Sequence, residues 1–183
     1  MGSVGSTQSD FVENATRSFL EYYGFSQPKG NEQALLKESE TADVPRLIEI
    51  AREVGSDAFL GFANNMDKSV RVSNITPSQI EEIRDNPQSI QSLRNGIKSV
   101  IGASDRYRER ATSIENNFRD IVAHNVGKGP EILAGNPKPI GIESSLGLSG
   151  WNLVVQYIKT RADGSTYVTT ERVSIPEEYM RNR

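Results

Sequence analysis

The stretch SDRYRERATSIENNFRDIVAHNVG, Ser104–Gly127, decides how this chain is read. Tyr107, Ala111, Ile114, Phe118, Ile121 and Val122 recur at alternating steps of four and three residues. At ~3.6 residues per turn they form one apolar stripe along a helix. Ser104 and Asp105 supply an N-cap and an early acid, and His124 stands in the last turn before Gly127, a suitable C′ residue.

Upstream, Asn86-Pro87 restarts a helix whose inner face carries Ile90, Leu93, Ile97, Val100 and Ile101 and which runs to Gly102. Gly102 followed by Ser104-Asp105 is a stop followed by a start. The spacing therefore predicts an antiparallel helix pair, 87–102 and 104–126, with one long kinked helix as the alternative. Thr76-Pro-Ser-Gln79 has the capping-box pattern with Pro at the first helical position, so a helix begins at Pro77. Asp43, Pro45 and the stripe Val44, Leu47, Ile48, Ala51 and Val54 predict another, ended by Gly55.

Nearer the N-terminus, Phe11, Ala15, Phe19, Tyr22 and Tyr23 share one face of a helix over 10–23, with Asp10 and Glu13 as a capping-box-like pair. A short helix is expected over 32–38. Residues 56–64 read as a further helical turn or two burying Phe59, Leu60 and Ala63, and 69–73 alternates as a strand without an obvious local partner. The helical body thus covers 10–126 with about five to six helices, preceded by a Gly/Ser-rich flexible arm, 1–9.

Downstream, residues 127–150 hold six Gly and three Pro and read as a connector, with Pro139–Ile142 as a brief extended piece. Residues 151–176 then form an antiparallel β-hairpin around Ala162-Asp163-Gly164. A three-residue loop pairs Leu153 with Val173 and Tyr157 with Thr169; a two-residue Asp-Gly turn would pair Leu153 with Ser174. The three-residue register gives the cleaner apolar face, with Gly164 left-handed. Pro176 ends the strand, and 177–183 is a polar tail. The fold class is α+β: a helical body followed by a C-terminal antiparallel hairpin.

Charge is unevenly distributed. Residues 1–87 carry 8 Lys/Arg against 14 Asp/Glu, residues 88–128 carry 7 against 4, and 129–183 carry 6 against 6. A duplex-binding domain would show a stronger basic excess, so contact between acidic and basic parts, within or between chains, explains the pattern better. The absence of cysteine removes disulfides, thiol catalysis and thiolate metal sites. No apolar run approaches the ~20 residues of a membrane span. A soluble protein is expected, cytoplasmic or virion-associated by default, with export that needs no cleaved signal left open.

No motif for a metal, a cofactor or a known catalytic set is present. His124, Glu171 and Arg172 are the candidates for a cleft beside the 127–150 loop. His124, at a helix C-terminus, is most simply a dipole partner. Tyr22, Tyr23, Trp151, Tyr157 and Tyr167 are candidate interaction residues. Arg94, Lys98, Arg106, Arg108, Arg110 and Arg119 form a candidate basic patch for an anionic partner or nucleic acid. The expectation is a non-catalytic interaction or assembly component, of virion, structural or adaptor type, that binds a protein partner or itself. A small secreted effector or enzyme is one alternative, and anionic-partner binding through the basic helices is the other.

Overall fold

The computed structural model describes residues 9–55, 59–62, 65–71, 74–145 and 150–181. The N-terminal arm as far as residue 8 and the last two residues of the tail lie outside them. Among the described residues the chain has seven α-helices and five strands, an α+β arrangement with a three-stranded antiparallel sheet at the C-terminal end. It divides into two compact units, one of residues 20–105 and the other of the residues through Phe19 together with those from Arg106 onward.

In the 20–105 unit, α2 (Glu32–Ser39), α3 (Val44–Val54), α4 (Pro77–Arg84) and the first part of α5 (Pro87–Asn116) enclose one core. Leu47, Ile48 and Ile50 of α3 meet Ile83 of α4 and Leu93 and Ile97 of α5, all buried. Local signals start these helices where the spacing predicts. Asp43 accepts a bond from Arg46 N at 3.1 Å, and the Thr76–Gln79 capping box is closed in both directions, at 3.2 and 2.9 Å.

Two expectations in this unit change. The turn expected to bury Phe59 and Leu60 is a strand, β1 (Phe59–Phe62), paired antiparallel with β2 (Asn65–Arg71). Gly61 weakens a helix there, and 65–71 supplies the partner that local reading could not find. Ala63, and residues 72–73 of the expected strand, lie outside the described residues.

The second correction concerns the helix pair. Helix α5 runs from Pro87 to Asn116 without a turn at Gly102, so 87–102 and 104–126 are not an antiparallel hairpin. A glycine inside a helix costs only about 1 kcal/mol. Continuing the helix keeps Ile97, Ile101, Ala103 and Ala111 buried, which outweighs that cost. The break comes at Asn117, whose Nδ2 donates to Ser113 O at 2.7 Å and so competes for the helix's own carbonyls. Helix α6 (Phe118–Ala123) follows.

The other unit contains α1 (Asp10–Tyr22) as far as Phe19, the last turns of α5, α6, α7 (Gly129–Ala134) and the sheet β3 (Lys138–Ser144), β4 (Trp151–Thr160), β5 (Thr166–Ser174) in that order. The cap of α1 is Ser9, whose Oγ accepts from Val12 N at 3.0 Å, rather than Asp10. Segment 127–150, read as a connector, supplies α7 and β3. Gly135 and Asn136, the latter at φ 52, turn α7 into β3. The hairpin is therefore two strands of three. Leu153 pairs with Val173 and Tyr157 with Thr169, around a loop in which Gly164 has φ 90, as the three-residue register requires. Its inner face, Leu153, Val155, Tyr157 and Val173, packs with Phe19, Ile114, Ile121 and Ile132 in one core. That core covers the face a lone two-stranded ribbon would leave wet. A 3₁₀ turn, Glu177–Tyr179, follows β5, with Tyr179 and Met180 packed against the same core.

Candidate functional site

The three residues singled out for chemistry each have a partner in the fold. His124 is the C-cap of α6; its Nδ1 lies 2.8 Å from Asp120 O and its Nε2 3.9 Å from Glu178. Glu171 accepts from Lys128 Nζ at 2.8 Å, and this bond holds its carboxyl below the usual range. Arg172 makes a two-pronged contact with Glu143, at 2.5 and 3.1 Å, which depresses the Glu143 carboxyl in turn. Glu171 and Arg172 are adjacent on a strand, so their side chains leave opposite faces of the sheet. None of the three is among the residues lining the cavity described below.

The ion pairs on the inner face tie the helices to the sheet. Lys128–Glu171 and Lys159–Glu131, the latter at 3.3 Å, flank Tyr157, whose hydroxyl pKa is pushed up mainly by burial. Trp151 and Tyr157, candidates for an interaction surface, are buried: Trp151 stacks edge-on with Phe19 at 4.9 Å. They belong to the core that the sheet shares with residues of α1, α5, α6 and α7. Tyr22, Tyr23 and Tyr167 are exposed, with Tyr22 and Tyr23 in edge contact at 4.9 Å and Arg161 over the Tyr167 ring at 4.4 Å.

The basic patch does not form as expected, because the helices that would have paired to gather it are one helix. Arg94 is a capping residue: Nε and Nη2 donate to Ser39 O and Ala42 O at 3.0 and 3.2 Å, at the C-terminal end of α2. Lys98 is exposed in the same unit; Arg108 and Arg119 lie in the other unit, Arg119 on α6. At about 100° per residue, Arg106 and Arg110 share a helix face that Arg108 leaves. Those two enter a cavity of 420 Å³ whose lining is completed by Glu109, Ser113, Asn117, Glu178, Tyr179 and Arg181. The Arg110 guanidinium stands 5.3 Å from the ring centres of both Phe19 and Tyr107. Burial, with the Glu178 and Asp120 carboxylates, raises the Tyr179 hydroxyl pKa, so the phenol is a neutral donor at pH 7.

Two features escaped the sequence reading. The first is the 3₁₀ turn with the residues just after it, which brings Glu178, Tyr179 and Arg181 to the cavity; only the four-residue steps Arg106–Arg110 and Ser113–Asn117 were visible locally. The second is the Ile158–Val168 pair, directly opposed across β4 and β5 and 41% and 61% exposed. Alternation along both strands places these two on the outer face, a signal that was present and went unused.

No protein-family model, curated protein or solved structure matches this chain. Among the described residues no helix is long and apolar enough to cross a membrane.

Proposed function

We propose that this chain is a non-catalytic interaction protein that assembles by adding a strand to the outer edge of β5. The observation that carries this reading is the edge itself. Strand β5 is terminal in the sheet order, and among the described residues no strand lies beyond it. The bonds Arg161 N to Ser165 O and Ile175 N to Trp151 O fix the phase of the ladder. Odd-numbered residues of β5 bond inward to β4, so Thr166, Val168, Thr170, Arg172 and Ser174 turn their N–H and C=O groups outward.

Edges are ordinarily blunted by lysines, prolines or bulges. The segment TYVTTERVS has none of these, its two charges Glu171 and Arg172 are paired with Lys128 and Glu143, and it is rich in β-branched residues and stands beside the exposed Ile158–Val168 pair. A second copy of β5 is the occupant its sequence fits. Antiparallel pairing about Thr170 sets Thr170 against Thr170, Val168 against Arg172 and Thr166 against Ser174, with no like charges opposed. The pairing of Glu171 and Arg172 with Lys128 and Glu143 also favours a structural over a catalytic role for them.

Analytical ultracentrifugation over a concentration series, with hydrogen exchange read at Thr166–Ser174, tests this. Association is expected, with the even-numbered amides protected as it proceeds, and Val168→Lys and Thr170→Pro should each abolish it. A monomer at every concentration, with those amides exchanging freely, would overturn the second-copy reading.

A further inference from the structure

The 420 Å³ cavity beside the C-terminal half of α5 has no residue of the sheet edge in its lining, which is dominated by charged and polar side chains. Three arginines, Arg106, Arg110 and Arg181, line this cavity together with Tyr179 and Ser113. Each guanidinium offers five N–H donors in a planar fork suited to carboxylate or phosphate oxygens. Two carboxylates, Glu109 and Glu178, share the lining, so the charge balance is positive by one.

We propose that this cavity binds a small organic oxyanion, a phosphate or carboxylate compound that also carries hydroxyl or ammonium groups. The guanidinium forks and the phenol take the oxyanion, while Glu109 and Glu178 accept hydrogen bonds from the ligand's donors. The two acids disfavour a bare polyanion such as a nucleic-acid backbone, which offers no donors to them at this spot. Arg110 is the anchor. Its contacts with Phe19 and Tyr107 hold the guanidinium in place before any ligand arrives, which lowers the ordering cost of binding. The volume is large for inorganic phosphate alone and lies within the range of small-molecule sites.

Isothermal titration calorimetry on the full chain, with O-phosphoserine, citrate and inorganic phosphate as separate probes, tests the assignment. Saturable binding of O-phosphoserine or citrate is expected, tighter than that of inorganic phosphate, and whichever binds better names the oxyanion. The double variant Arg106→Gln/Arg181→Gln, both at exposed positions, should weaken that binding by about tenfold or more while circular dichroism shows the chain still folded. Arg110→Lys keeps the charge but removes the fork, and should weaken it as well. No saturable binding of any probe up to about 10 mM, or binding that the double variant leaves untouched, would overturn the proposal.

Discussion

Gly135 lies directly against the backbone of Ile158: its carbonyl accepts the Ile158 N–H at 2.8 Å, and a Cβ on Gly135 would stand 2.4 Å from Ile158 O. The obstacle is backbone in the middle strand of the sheet, which cannot swing aside as a side chain can. Gly135→Ala should therefore destabilise the fold by about 1–3 kcal/mol, the usual range for overpacking. Urea unfolding followed by the fluorescence of Trp151, the single tryptophan, measures it; an unchanged midpoint would mean that α7 does not dock there as closely as described.

Thr76 closes a capping box with Gln79 at the start of α4. Thr76→Ala removes the acceptor for Gln79 N and should cost about 1 kcal/mol, whereas Thr76→Ser should cost much less. Thermal unfolding by circular dichroism separates the two.

Arg94 donates to Ser39 O and Ala42 O, more than 50 residues away in sequence. Arg94→Met keeps most of the aliphatic stem and leaves those carbonyls without the guanidinium. A loss of about 1–3 kcal/mol is expected, as for hydrogen bonds from a charged group. Were Arg94 simply part of a solvated basic surface, the loss would be near zero.

Glu143 and Glu171 are both held below the ordinary carboxyl range by Arg172 and Lys128. A depressed folded pKa means that protonation opposes folding. The contribution of each pair is complete above the unfolded glutamate value of about 4.3 and is lost as pH falls through the folded value. The double variant Glu143→Gln/Glu171→Gln should flatten the fall in stability below about pH 5 relative to the parent chain. Equal slopes in the two proteins would exclude these pairs as a source of acid sensitivity.

Elements written in a few neighbouring residues were legible. Thr76-Pro-Ser-Gln79, Asp43 before α3, and Asn86-Pro87 each satisfy helix-terminal groups from within one turn, and α4, α3 and α5 begin there. The hairpin register was legible for the same reason: of the two-residue and three-residue turns at Ala162–Gly164, only the latter puts Leu153, Tyr157 and Val173 on the same side. Gly102 misled because a stop signal is worth about as much as a single glycine's cost, and burial on either side of it exceeded that.

Capping, proline geometry and strand alternation act over a few residues, and they are enough to write the α+β class, the helix starts and the β4–β5 register into the local sequence. Tertiary structure alone decided that α5 passes unbroken through Gly102, that β1 finds β2 and β3 finds β4, and that Arg94 caps a distant helix. It also decided that Arg106, Arg110 and Arg181 meet around one cavity with Tyr179. The Arg94 and Tyr179 contacts join residues more than 50 apart in sequence, and the path of α5 and the two strand pairings turn on burial and pairing summed over a whole core or sheet. No local pattern encodes either quantity, since each is fixed only when the chain closes on itself.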